Sequence, residues 1–475
     1  MPEISDHETA SSSADHHLPR QLGLRDLVLS QVLTVVGSSW VGIAAGLGRA
    51  QTVVWLLALV TFYLPMAVSV YYLNRAMPLE GGLYVWARRA FGDALGFMTA
   101  WNIWLYALAS IATILFQIPS EFAFMVGPSA AKLPENHTFV FLLLAVLVTL
   151  LAWSAVRGLG LGKWIHNFSG AAMIMAFALL IVAPFWAMLH HENVHFAAFT
   201  FALPHTDKQS LSLIGQVLFA ASGLEYIAIL AGETRSPAKN IGRSVVIATP
   251  IIFAMFMLGT GSVITFHDAN PGSAINYIAP IPQTLRLAFA GSHAATYLAQ
   301  FTILLLQIRI LGASSFLFTG VTRLPMTAGW DHLAPAWFTK LHPKYQTPAN
   351  SVYFTTAIIA AMIVLCSVGS GAAETFDLLN NASSEFYALA YIAMFAIAFV
   401  GVNNIRKHLP WWVVALSVLG AITSVLILVL QAYPFVDVAS PAKFAAKIVG
   451  ALAIANAIGY AFYRSRSLYV QPSIE

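Results

Sequence analysis

Val35-Val36-Gly37-Ser38-Ser39-Trp40-Val41-Gly42 interrupts an apolar run that extends roughly from Leu27 to Leu47. Three small residues in a row and a second glycine make a poor continuous helix. Glycine is costly in a helix interior, and serine competes for backbone hydrogen bonds. A membrane span tolerates such a break only where protein or a water-filled cavity surrounds the freed backbone groups. The stretch therefore reads as half of a small-molecule binding site, with the other spans arranged around it.

The rest of the chain fits that setting. Of 475 residues, 59% are hydrophobic and only 9% charged, against about 25% charged in an ordinary soluble domain. A soluble chain of this length needs a larger polar surface, so composition points to a polytopic, all-α membrane protein. Apolar runs of about 20 residues predict twelve transmembrane helices, at 27–48, 53–74, 95–127, 138–156, 168–189, 211–231, 243–266, 292–319, 350–369, 375–400, 411–432 and 445–463. With both termini inside, the outer loops hold only Arg49, Lys132, Lys208, Arg286, Lys443 and Lys447. Of the 24 Lys and Arg residues, all the others fall on the cytoplasmic side, as the positive-inside rule requires, except Arg309, which lies within a span. This places a multi-pass protein in the cytoplasmic (inner) membrane.

Residues 1–20 are polar, with His7, His16 and His17, and read as a disordered cytoplasmic tail rather than a signal peptide. Spans one to six then occupy 24–231, spans seven to ten 232–400, and a final pair 411–463. The 75–94 connection, with Tyr84, Trp86 and Arg88-Arg89, reads as an amphipathic helix at the inner surface. Segment 267–291, with Pro271, Pro280 and Pro282, suits a folded outer loop, either static or a lid over the substrate path. The lone Cys366 excludes an intramolecular disulfide and any cysteine-based metal cluster. No cofactor or metal site is expected. The scattered basic residues give no nucleic-acid surface, and no nucleophile constellation suggests an enzyme.

Span six repeats the opening signature in Phe219-Ala220-Ala221-Ser222-Gly223-Leu224-Glu225. Paired interruptions at corresponding places in two halves are the best pointer in a sequence to a transporter binding site. Five spans, five inverted spans and two extra account for twelve, with inverted repeats at about 24–189 and 211–400. The alternative is that Gly37, Gly42 and Gly223 serve close helix packing. A broken helix exposes amide N–H groups where its second half begins and carbonyls where its first half ends. The amides attract a carboxylate and the carbonyls an ammonium. Gly37, Ser38, Ser39 and Gly42 are accordingly assigned to carboxylate recognition, with Trp40 at the pocket wall. Carbonyls from Phe219 through Ala220 and Ala221 to Ser222 are assigned to the ammonium, with Phe219 closing over the ligand.

Ionisable residues at depth are expensive and functional by default. Glu225 has three open roles: carrying a coupled proton, contacting a substrate ammonium, or capping freed backbone. Arg309 needs a partner, either Glu385 or Gln307. Glu233, Arg235 and Arg323 read as cytoplasmic contacts that hold an inner gate, or as ordinary topology-setting charge. Asn102, Trp104 and Tyr106 in span three, with Ser383, Ser384 and Tyr387 in span ten, are further pocket candidates.

These motifs resemble the amino acid-polyamine-organocation transporter family over most of the chain, from about Leu24 to Tyr463. Gly37-Ser38-Ser39 is similar to the family's Gly-Ser-Gly element. Gly223-Leu224-Glu225, Ala231-Gly232-Glu233 and Arg235-Ser236-Pro237 resemble its sixth-span signature and the motif after it. Pro78-Leu79-Glu80-Gly81-Gly82 and Thr322-Arg323-Leu324-Pro325 resemble two of its loops. The resemblance implies an inverted-repeat fold with broken helices 1 and 6. It also implies alternating access and secondary transport of amino acids or related amines, by proton coupling or exchange. Met173 falls where many relatives carry a span-five lysine, while the small Ser314 and Ser315 fit either a sodium site with carbonyls of span one or tight helix packing. A neutral amino acid is the leading substrate expectation. A polyamine or cationic amine is the alternative within the class, and a non-transporting membrane ligand sensor the alternative outside it.

Overall fold

The computed structural model describes residues 22–76, 82–157, 162–189, 194, 196, 200–225, 234–289, 293–327, 336–368, 370–400 and 409–465. In chain order the principal helices are α1 (Leu24–Val35), α2 (Ser38–Ala45), α3 (Gln51–Ala58), α4 (Leu64–Ala76), α5 (Leu83–Phe91), α6 (Asp93–Val126), α7 (His137–Arg157) and α8 (Gly162–Leu189). They continue with α9 (Lys208–Ala220), α10 (Pro237–Asp268), α11 (Pro280–Ala288), α12 (His293–Thr327), α13 (Ala349–Ser367), α14 (Ala372–Val400), α15 (Trp411–Leu430) and α16 (Pro441–Arg464). A single parallel bridge, Leu22 to Thr234, is the only β-type pairing among the described residues.

Among the described residues, nine helices are long and apolar enough to cross a membrane, and the bent pair α1–α2 makes a tenth candidate. The predicted run 375–400 is helical as α14, but Glu374, Asp377 and Glu385 put charge along it. Residues 226–231, the second half of the predicted sixth span, lie outside the described residues, as do the 1–20 tail and Glu233. α6 is the axial helix: 94% of its most apolar window is buried, against 17% for α16, which lies at the periphery. Leu142, Leu150, Trp153, Trp186, Ile422 and Ile454 are among the large apolar side chains left exposed, the surface expected of a lipid-facing wall.

α3 and α4 run on as one continuous span through a π turn at Leu59–Tyr63. The looser turn frees the Thr61 carbonyl, which accepts a 3.0 Å bond from Thr423 Oγ1 of α15. α5 departs from the expected interfacial helix. Tyr84 and Trp86 are buried in protein rather than lying at the bilayer surface, and Arg88 donates from Nε to Asp93. The described part of the predicted outer segment, 267–289, is folded. The Asn276 side chain accepts from the Ile278 and Ala279 amides, and Gln283 accepts from the Asn276 amide, before α11 begins at Pro280. α11 sits on α2. A Cβ on Gly42 would fall 2.6 Å from the Pro280 ring, so this glycine permits the close approach.

Candidate functional site

The first break lies where the sequence puts it. Val36 and Gly37 are extended, at φ −81°, ψ 118° and φ −115°, ψ 143°, and α2 leaves at 47° to α1. Gly37 is required by space rather than backbone angle. A Cβ there would lie 2.7 Å from Trp40 Cδ1, because the indole folds back over the break. The second break follows α9, which Asp207 caps by accepting from the Ser210 amide at 3.0 Å. The Ser210 hydroxyl and then its amide hold the Asp207 carboxyl below its ordinary range. α9 ends at Ala220, and Gly223 turns the chain with φ +103°, a conformation that side chains disfavour.

The two breaks meet. Gly223 stands against Val35 and the Thr34 carbonyl, 3.6 and 3.8 Å from where its Cβ would be. Between them lies an aromatic cluster. Trp40 meets Phe219 edge-on at 6.1 Å, and Tyr106 stacks on Tyr387 at 3.6 Å. Phe219 points its edge at both tyrosines, at 6.4 Å. Ala220, Ala221 and Ser222 are buried beside it. Tyr391 ties the second break: its hydroxyl accepts from the Gly223 amide at 3.0 Å and donates to Glu225 Oε2 at 2.8 Å. The other carboxylate oxygen, Oε1, is buried with no hydrogen-bond partner among the described residues.

Charge gathers at the first break. Arg309 of α12 donates from one terminal nitrogen to the Val36 carbonyl at 3.0 Å, meeting the negative end of α1. Glu121 of α6 lies at the positive end of α2. Ser38, the first residue of α2, donates to Gln117 Oε1 at 3.0 Å and to Glu121 Oε1 at 3.3 Å. Gln117 donates in turn to Ser39, and Gln307 donates to Glu121 Oε2 at 2.9 Å. Sequence reasoning missed Glu121 and Gln117, although Gln117-Ile118-Pro119-Ser120-Glu121 lies inside the third predicted span. Their i, i+4 spacing on one helix face was the available signal.

Several expectations are corrected. Arg309 does not pair with Glu385 or Gln307: its opposite charge is Glu121, and Gln307 serves that carboxylate. The carboxylate Oε1 of Glu385 has no partner among the described residues. Asn102 faces away from the site, donating to Asn456 of α16, and Trp104 stacks against Phe354 of α13. Ser384 donates only to carbonyls of its own helix, whereas Ser383 meets Ser110 at 2.6 Å. Gly42 lies beyond the break, under Pro280. Met173 is buried, as is Ser314, whose hydroxyl has no partner among the described residues. Of the inner-gate residues, Arg235 is exposed and its amide donates to the Leu22 carbonyl at 2.9 Å. The side chain of Arg323 and all of Glu233 lie outside the described residues.

A cavity of about 570 Å³ opens at the end of the bundle where α6 stops and the 274–283 loop folds. Its wall includes Ser120, Asn276, Tyr277, Arg286 and Phe376. Burial, and then the nearby charges of Asp437 and Asp377, push the Tyr277 hydroxyl above its ordinary range.

One bent helix pair, α1–α2, thus meets the turn that ends α9, beside a group of aromatic side chains. The chain matches the amino acid permease family profile over residues 26–454 and belongs to that family. It is 23% identical over 391 residues to an uncharacterized transporter of Legionella pneumophila, covering 81% of each chain. It is 23% identical to the probable agmatine/putrescine antiporter AguD of Lactococcus lactis, covering 82% of this chain and 81% of that one. The aspartate/glutamate permease AcaP of Lactococcus lactis is 24% identical, with 74% of each chain covered. These are transporters and permeases rather than enzymes, and the protein is a multi-pass membrane protein of that kind.

Proposed function

We propose that this protein is a secondary active transporter that moves a neutral amino acid across the cytoplasmic membrane by alternating access, with proton coupling or exchange. The contact between the two breaks carries the reading: Gly223 against Val35 brings two sets of freed backbone groups to one aromatic-lined point. The two ends of a zwitterion match the amides of one half-helix and the carbonyls of another. The matching topology has twelve spans in a five-plus-five inverted repeat, with two more following and both termini cytoplasmic. In it α9 and residues 226–231 form the broken sixth span. The remaining site assignments stand on the same reading, with Glu225 as the coupling candidate beside Tyr391 and with Glu233, Arg235 and Arg323 at the inner gate.

An amine substrate is the second reading. The agmatine/putrescine antiporter among the relatives favours it, as does the buried carboxylate of Glu225. Reconstituted proteoliposomes decide between the two. A labelled amino acid panel and putrescine are tested with proton and sodium gradients imposed separately. Saturable amino acid uptake driven by the proton gradient or by counterflow is expected. Saturable putrescine uptake without amino acid competition would replace the first reading with the second. Binding without flux or counterflow would indicate a sensor. Loss of gradient-driven uptake in Glu225→Gln, with exchange intact, would mark Glu225 as the proton carrier.

A further inference from the structure

Arg309 is 3% exposed and carries five N–H donors on a planar fork. One nitrogen serves the Val36 carbonyl; Nε and the other terminal nitrogen have no acceptor among the described residues. Buried donors without acceptors are costly, and a charged group more so. Glu121 supplies opposite charge in the same pocket but does not take up those donors. The ion pairs between described residues are Arg88–Asp93 and Lys447–Glu374. Both Glu121 oxygens are instead engaged by Ser38 and Gln307. The guanidinium thus has a counter-charge nearby while two of its three nitrogens stay unpartnered.

The place of that fork matters. The terminal nitrogen that serves the Val36 carbonyl is also 3.6 Å from where a Gly37 Cβ would stand, so the guanidinium lies at the point where α2 begins. The first amides of α2 have no partner within their own helix. The guanidinium and the start of α2 therefore meet at the same break, with two of the three guanidinium nitrogens unpartnered there. A planar carboxylate fits a guanidinium edge by two parallel N–H···O bonds, a match that an ammonium reverses in sign.

We propose that Arg309 is a specificity-determining residue that selects substrates bearing a carboxylate and rejects their decarboxylated amines. The proposal rests on the first break being a substrate site. It assigns the ammonium of an amino acid to the other break, where Glu225 and the faces of Tyr106, Phe219 and Tyr387 lie. A site built to hydrogen-bond a substrate group discriminates strongly against the analogue lacking it, because its own buried donors are then left unpaired.

The test is competition in proteoliposomes. Uptake of a labelled amino acid is inhibited by the unlabelled acid, by its amide and by the corresponding decarboxylated amine. The wild type is expected to prefer the acid over either analogue by at least about tenfold, well inside the range such sites reach. Arg309→Gln is expected to weaken the acid by a similar factor, leave the amine unchanged and bring the ratio toward one. Arg309→Lys, with charge but no fork, should fall between. A merely structural role would lower all three ligands together. An unchanged acid-to-amine ratio in Arg309→Gln, or equal inhibition by acid and amine in the wild type, would overturn the proposal. Should Arg309→Gln fail to fold, the wild-type ratio decides alone. If wild-type protein takes up no amino acid or amine saturably, the substrate-site reading itself fails, and the proposal with it.

Discussion

Gly37→Ala tests the geometry of the first break most directly. The backbone at Gly37 is extended, so alanine adopts it freely and the penalty is steric. The added methyl would stand 2.7 Å from Trp40 Cδ1 and 2.8 Å from Nε1, where ordinary contact begins at 3.4 Å. The indole must therefore retreat by several tenths of an ångström, against its edge-on contact with Phe219. Overpacking of this kind costs about 1–3 kcal/mol, or about five- to 150-fold in a folding or binding equilibrium at 1.4 kcal/mol per decade. Trp40→Ala removes the obstructing ring, so the double variant should recover most of the Gly37→Ala penalty. The assay is a double-mutant cycle on the unfolding of detergent-solubilised protein, repeated on uptake. A coupling of about 1–2 kcal/mol toward recovery is expected, well above the scatter of about 0.5 kcal/mol for independent sites. Penalties that simply add would refute the claim that Gly37 exists to admit the indole.

Gly223→Ala poses the opposite case: a methyl would meet its neighbours at ordinary contact distance, but φ is +103°. It should cost about 1–2 kcal/mol by conformation alone, read as a lowered unfolding temperature, and unchanged stability would count against the turn. Tyr391→Phe removes the link between the Gly223 amide and Glu225. Hydrogen bonds to a charged group are worth about 1.5–3 kcal/mol, so uptake should drop sharply with the fold retained by gel filtration; wild-type uptake would show the link to be idle. Asp207 has its carboxyl held below 3.8 by Ser210, so its cap on α9 is present above the unfolded value and lost as pH falls through the lower folded value. Asp207→Ala should therefore flatten the acid limb of a thermal-stability profile, and an unaltered limb would remove the cap from the account.

Both breaks were legible in the sequence because their cause is local. Glycine and serine runs weaken a helix wherever they occur, and Val36–Gly37 and Gly223 fall where those runs lie. The family was legible for the same reason. The partner of Arg309 was not, because Glu121 precedes it by almost two hundred residues and only tertiary packing brings them together. The facing of α6 was also hidden. A helix buried on nearly every side has no amphipathic stripe to give its rotation, so Asn102, Trp104 and Tyr106 read alike. In fact Asn102 points to α16, Trp104 to α13 and Tyr106 to the site. Trp86 misled in the other direction, since an aromatic beside arginines reads as a membrane anchor whether lipid or protein covers it.

The π turn at Leu59–Tyr63 has a meaning for chain length. Elsewhere in a span, losing one residue rotates everything after it by about 100°, sending buried side chains into lipid. Here the helix already holds one residue more than an α-helical path needs. Removing one residue between 59 and 63 would convert the turn to ordinary helix and leave Tyr63, Met66 and Val70 still facing the core. What would be lost is the bond from Thr423 to the Thr61 carbonyl. The second span is thus a place where the chain can shorten by one residue without losing its register, at the expense of one tie to α15.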